Sequence, residues 1–294
     1  MTKIFLDYDQ QGLDRAYDQR VWAANMEDVI AEYATASEQA RKRLGKPTIY
    51  SYGPTPIERV EVFQTSTPLA PVLIFIHGGA WRRGTAADYS FLAEMFVDAG
   101  IQFVVVDFAP VTAVDGDLRA VASQVARAIA WVSAHAERFG GNPDRVFLAG
   151  HSSGAHLAAA AVVADWTELG AGKNILKGAL LISGVYDLRP VRLSARNSYV
   201  RLDDRSEAAL SPARHLSGLD VPLIVAWGSK ESPEFSRQGQ AFVSAGKALA
   251  KRVEGIQVSG LNHFEILRTL AQKQSSISRA ALDLIDPKLS SRVS

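Results

Sequence analysis

The stretch Gly150-His151-Ser152-Ser153-Gly154 constrains this chain more than any other. It is a G-x-S-x-G placed where the apolar run Arg145 to Gly150 ends and the small-residue segment Gly154 to Val163 begins. Strand, sharp turn and helix in that order make a nucleophile elbow, in which the serine takes a strained backbone conformation and its Oγ stands clear of the sheet. The flanking glycines let strand and helix pass without a Cβ clash. Alone, the motif also fits a Gly/Ser-rich loop, so its meaning depends on what surrounds it.

Upstream, Ala70 to His77 reads as a fully buried strand that runs into Gly78-Gly79-Ala80-Trp81. Glycines at such a strand end can turn backbone N–H groups toward a developing negative oxygen, and one donor of that kind is worth about 3–4 kcal/mol in a transition state. Gly78 and Gly79 are therefore candidate oxyanion donors, with the N–H of Ser153 as their partner. An ordinary strand-to-loop glycine pair is the plainer reading of the same residues.

A serine nucleophile needs a base and an acid, and the chain order nucleophile, acid, histidine puts both downstream. Of the six histidines, His151 and His156 belong to the elbow and its helix, His135 to the polar end of an amphipathic helix and His215 to a loop. All four suit solvated or structural roles. His263 follows the strand-like Val253 to Gly260 and precedes the helix Phe264 to Leu270, which puts it on the loop after the last strand. The acid is Glu231, in the loop entered by the strand Val221 to Trp227, where it would hold the imidazole in its productive tautomer. Glu234 competes but suits the first turn of the next helix. Asp187, after the strand Gly178 to Ser183, is the second choice, and Glu265 lies too close to His263 to orient it.

The chain has 294 residues, 47% of them hydrophobic, enough for one large domain. Its 32 basic residues nearly balance 31 acidic ones, and no basic block stands out, so nothing supports a nucleic-acid partner. With no cysteine there is no disulfide framework, thiolate metal site or cysteine nucleophile. The N-terminal residues turn acidic too soon for a signal peptide and no apolar run reaches membrane-spanning length, so no membrane partner and a cytoplasmic location are expected. The partner is a small-molecule substrate; the oligomeric state is not readable, and a homodimer is compatible with the sequence.

Along the chain, a polar helical arm (about 1–45) precedes strand signals at Ile49 to Tyr52 and Arg59 to Phe63. Then come the strand before His77, a helix over Tyr89 to Asp98, a strand over Ile101 to Asp107, a helix from Asp117 to Phe139 and the elbow. Alternating strands and helices predict an α/β fold, a mainly parallel sheet with helices on both faces, whose ligands bind at the carboxyl ends of the strands. The arginine-rich stretch of about 184–218 breaks the alternation. It shows little regular periodicity and reads as a small cap over the pocket, joined by the N-terminal arm. A surface excursion of no consequence is the alternative.

Together, His77-Gly-Gly-Ala-Trp81, Gly150-His-Ser-Ser-Gly-Ala-His-Leu157, Ser183-Gly-Val-Tyr-Asp-Leu-Arg189, Glu231-Ser-Pro-Glu-Phe235 and Asn262-His-Phe-Glu-Ile266 resemble the α/β-hydrolase type of kynurenine formamidase (arylformamidase), in the H-G-G-x-W esterase and lipase superfamily. Tyr17-Asp-Gln-Arg20 is similar to that family's opening arm, so the likeness spans most of the chain. It implies the α/β-hydrolase fold in a single domain (1–294), a triad of Ser152, Glu231 and His263, no metal or other cofactor, and hydrolysis of N-formyl-kynurenine to kynurenine and formate. The family usually has aspartate at position 231 and alanine at 153, so the acid loop here must fit one more methylene. Trp81, Tyr89 and Tyr186, near the expected strand ends, are candidates to pack on an aromatic leaving group, with core or rim packing as the alternative. A general carboxylesterase or amidase would use the same machinery. A hydrolase-fold binding protein without turnover is the more distant reading.

Overall fold

Apolar runs without alternation become interior strands covered on both faces. The computed structural model describes residues 2–167, 172 and 175–290. Its sheet contains β1 (Thr48–Ser51), β2 (Arg59–Phe63), β3 (Ala70–Ile76), β4 (Gln102–Val106), β5 (Gly141–His151), β6 (Ala179–Ile182), β7 (Leu223–Gly228) and β8 (Val253–Val258). The spatial order is β1-β2-β4-β3-β5-β6-β7-β8. β1 and β2 pair antiparallel with their neighbours, and from β4 to β8 every pairing is parallel.

β3 and β5 show why the central strands read as continuous apolar runs. Val72, Ile74 and Ile76 join Val146 and Leu148 in the core on one face, while Leu73 and Phe75 join Phe147 and Ala149 in the core on the other. The chain leaves β3 toward β4 on one side and returns to place β5 on the other, so a crevice opens between the carboxyl ends of β3 and β5. His77-Gly78-Gly79 leaves β3 there, and Ser152 leaves β5.

Two expected elements differ in form. The helix expected over Tyr89 to Asp98 begins as a 3-10 turn, Ala86–Leu92, and becomes α-helical only at Ala93–Asp98. Thr85 and Asp88 close a reciprocal cap on that tighter turn. The stretch read as a cap for its lack of periodicity contains three short helices, Arg189–Leu193, Asn197–Val200 and Asp204–Leu210. Each is at most two turns long, too short to print a 3.6-residue pattern in sequence.

The N-terminal helices Gln10–Tyr17 and Met26–Leu44 lie against these elements. Gln10 Nε2 donates to the Leu193 carbonyl at 3.0 Å and the Ala195 N–H to Asp14 at 2.6 Å. Among the described residues, no helix is long and apolar enough to cross a membrane.

Candidate active site

Ser152 sits between β5 and the helix Ser153–Val162 at φ 56°, ψ −122°, a conformation a non-glycine residue holds only under constraint. Its N–H is fixed to the Ile182 carbonyl at 2.8 Å. Gly154 makes the turn sterically feasible. A Cβ there would stand 2.1 Å from the Ile76 carbonyl oxygen and 2.4 Å from that of His77, both backbone atoms that cannot step aside. Gly154→Ala is expected to lower unfolding free energy by about 3 kcal/mol or more, measured by urea denaturation, because strand and helix must separate to admit the methyl.

His263 Nε2 lies 2.8 Å from Ser152 Oγ, and its Nδ1 lies 2.8 Å from Glu231 Oε2. A carboxylate can only accept, so Nδ1 carries the proton and Nε2 accepts from the serine hydroxyl. Glu231 Oε1 takes the Ser183 hydroxyl at 2.6 Å and the Gly228 N–H at 2.7 Å. Both carboxylate oxygens are thus engaged, and the longer glutamate is accommodated by reaching back to the end of its own strand. All three side chains are buried, Ser152 retaining 7% exposure.

Elements remote in sequence hold the histidine loop. His151 donates from Nε2 to the His263 carbonyl at 2.8 Å, tying the elbow to that loop. Asn262 Oδ1 accepts the N–H groups of Phe264 and Glu265 at 3.0 Å each. Asn25, from the N-terminal arm, bonds Asn262 and Glu265 at 2.8 Å each, and Tyr33 bonds the Phe264 carbonyl. Ser183 and Asn25 are contributors that sequence reasoning missed. His151 was open to a structural reading, but a serine at φ 55°, as Ser183 is, leaves no mark in sequence.

Gly78 packs beside the serine, a Cβ there meeting Ser152 Cβ at 3.2 Å. Gly79 at φ 116° turns its carbonyl back to accept Arg82 and Arg83 N–H groups at 3.1 Å. Among the described residues, the N–H groups of Gly78, Gly79 and Ser153 donate to no protein acceptor. Ala80 and Trp81 also hold positive φ, 53° and 60°. That strain is offset by the bond from Val111 N–H to the Trp81 carbonyl at 2.7 Å and by Trp81 Nε1 donating to His156 Nδ1 at 3.2 Å. His156 in turn donates from Nε2 to the Leu210 carbonyl at 2.8 Å, so it links this turn to the cap.

The three aromatic candidates occupy different places. Trp81 is buried beside His156. Tyr186 is stacked on Phe242 at 4.2 Å in the core beneath the Glu231 loop, not on the pocket rim, because the turn at Ser183 and Gly184 folds the ring inward. Tyr89 lies in the core on the opposite face of the sheet from Trp81 and Tyr186, packed on Phe75 and His77. The rival acids are spoken for: Glu234 binds Arg237 and Tyr17, Asp187 caps the Arg189 N–H, and Glu265 accepts from Asn262 and Asn25.

A sheet of this order, with serine, histidine and carboxylate linked at its carboxyl ends, defines an enzyme of the α/β-hydrolase class. Residues 61–176 match the BD-FAE family. The chain is 31% identical over 286 residues to kynurenine formamidase of Danio rerio, covering 93% of this chain and 95% of the relative. It is 29% identical to kynurenine formamidase of Salmo salar, over 95% of this chain and 97% of that one. Among solved structures, a provisionally assigned thioesterase from Silicibacter sp. TM1040 superposes with a TM-score of 0.79 at 24% identity, over 90% of this chain and 96% of that one. By its near full-length likeness to the Danio rerio enzyme, the chain belongs to the kynurenine formamidase family.

Proposed function

We propose that the chain hydrolyses N-formyl-kynurenine, or a closely related aryl formamide, through an acyl-enzyme at Ser152. The observation that carries this reading is the continuous hydrogen-bonded line from Ser152 through His263 to Glu231, beside three backbone donors that have no protein acceptor among the described residues. His263 takes the serine proton as Oγ attacks the formyl carbon, and the N–H groups of Gly79 and Ser153, with Gly78, hold the oxyanion. The imidazolium, steadied by Glu231, gives its proton to the leaving aryl amine as the C–N bond breaks. Water, deprotonated by His263, then attacks the formyl ester and releases formate. The relatives' activity on a formamide supports this substrate. A cytoplasmic setting belongs to the same proposal and rests on composition.

The test is a rate comparison between N-formyl-kynurenine and p-nitrophenyl esters of increasing chain length, together with labelling by a serine-directed phosphonate. A kcat/KM for the formamide well above every ester, with the label on Ser152, is the expected result. A preference for longer acyl esters would make the chain a carboxylesterase. No label and no turnover would leave only a binding protein.

A further inference from the structure

Arg196 belongs to the cap, just before the helix Asn197–Val200, yet its guanidinium lies among three buried rings, one of which packs on the triad histidine. Its central carbon is 5.3 Å from the Tyr17 ring, 5.9 Å from Phe235 and 6.0 Å from Trp81. The Phe235 ring packs edge-on against the His263 imidazole at 4.8 Å, and Trp81 follows the oxyanion glycines. Arg196 therefore stands one ring away from His263, the group that must protonate the leaving atom.

Among the described residues, the Arg196 charge meets rings and a backbone carbonyl and no carboxylate. One guanidinium nitrogen, Nη2, donates to the Tyr17 carbonyl at 2.7 Å, and among the described residues no carboxylate pairs with it. Asp18, whose carboxyl is held below its usual value by Arg20 first and feels Arg196 only weakly, is gripped by Arg20 at 2.9 and 2.8 Å. Arg192 pairs with Asp204 and Arg214 with Glu207, and of the cap arginines only Arg196 lies over aromatic rings among the described residues. A guanidinium offers five donors in a planar fork, and here rings and a backbone carbonyl hold it ready-oriented. What such a fork takes best, in a partly dry aromatic setting, is a carboxylate in bidentate contact.

We infer that Arg196 binds a carboxylate on the leaving portion of the substrate, so that the enzyme selects acidic aryl amides or esters over neutral ones of the same shape. This rests on hydrolysis at Ser152, and it deepens that reading by naming what recognises the acid end of the substrate.

The experiment uses two matched pairs on the full chain: N-formyl-kynurenine with its primary carboxamide, and 3-(2-acetoxyphenyl)propanoate with its propanamide. Wild type is expected to favour the acid of each pair by roughly 10- to 100-fold in kcat/KM, mainly through KM. Arg196→Met should bring that ratio close to one, Arg196→Lys should keep part of it, and Arg205→Met, at an exposed cap position, should keep all of it. A wild-type ratio near one in both pairs overturns the inference. So does an Arg196→Met enzyme that slows acid and carboxamide alike with the ratio intact. If only the ester pair turns over, the formamide substrate is lost, but the ester ratio still decides the role of Arg196.

Discussion

Ser152→Ala is expected to lower kcat by about 10⁶-fold, and His263→Ala by the same order, with the double variant no slower than either single one. The reason is geometric. Among the described residues, Ser152 Oγ reaches no base other than His263 Nε2, and His263 Nε2 reaches no hydroxyl other than Ser152, so neither half acts without the other. The residual rate of each variant should still exceed the uncatalysed reaction by about 10³- to 10⁴-fold, since the backbone donors and the binding surface are untouched. KM should change little in Ser152→Ala, because the lost methyl-sized oxygen contributes to the transition state more than to ground-state binding. Single-turnover measurement over long times gives these values; a Ser152→Ala enzyme within 100-fold of wild type would place the nucleophile elsewhere.

Glu231→Gln belongs to the same experiment and should cost about 10⁴-fold. An amide can donate to Nδ1, which favours the tautomer with its proton on Nε2, the wrong one for accepting from serine. The remaining bonds to Oε1 from Ser183 and Gly228 would hold the amide in place, so the loss would reflect proton placement and not a displaced loop.

How much of this was legible in sequence follows from the length of each element and the chemistry of each turn. β3 and β5 were visible because a strand buried on both faces has nothing but apolar side chains, and the elbow because only glycine tolerates the contact at Gly154. The triad could be assembled because chain order and strand ends narrow six histidines to one and four carboxylates to Glu231. The cap helices were not legible, since segments of five, four and seven residues do not repeat a pattern. For Tyr186 the structure shows core packing, the alternative the sequence left open, because position near a strand end says nothing about which way the following turn throws the side chain. Arg196, in the same short-helix region, looked like one arginine among several. Only the three-dimensional neighbourhood shows that its partners are rings and not acids.

Folding stability should fall steeply as pH drops below about 6.5, before ordinary carboxylates begin to titrate. Three buried histidines cause this. Burial drives His151 down to about 3, helped by the facing His263 charge, burial takes His156 down to about 4, and burial lowers His77 between the rings of Phe108 and Tyr89. All three are neutral in the folded chain and titrate near 6.5 when unfolded, so below 6.5 the unfolded chain binds protons that the native chain refuses. The sign is fixed: their contribution is fully present above 6.5 and is lost on acidification toward the folded values. Each such histidine removes about 1.4 kcal/mol per pH unit in that window, so His151 and His156 alone should cost roughly 5 kcal/mol between pH 6.5 and 4.5. That is comparable with the whole stability of many domains. Urea denaturation at pH 7, 6 and 5 measures it. His156→Gln, which keeps polar groups near Trp81 and the Leu210 carbonyl, should start less stable at pH 7 but decline less steeply, by about 1.4 kcal/mol per unit. A stability that is flat from pH 7 to 5 would mean that these imidazoles reach water and take up protons in the folded state. The tether from His151 to the catalytic loop and the brace from His156 to Trp81 would then both be looser than their geometry indicates.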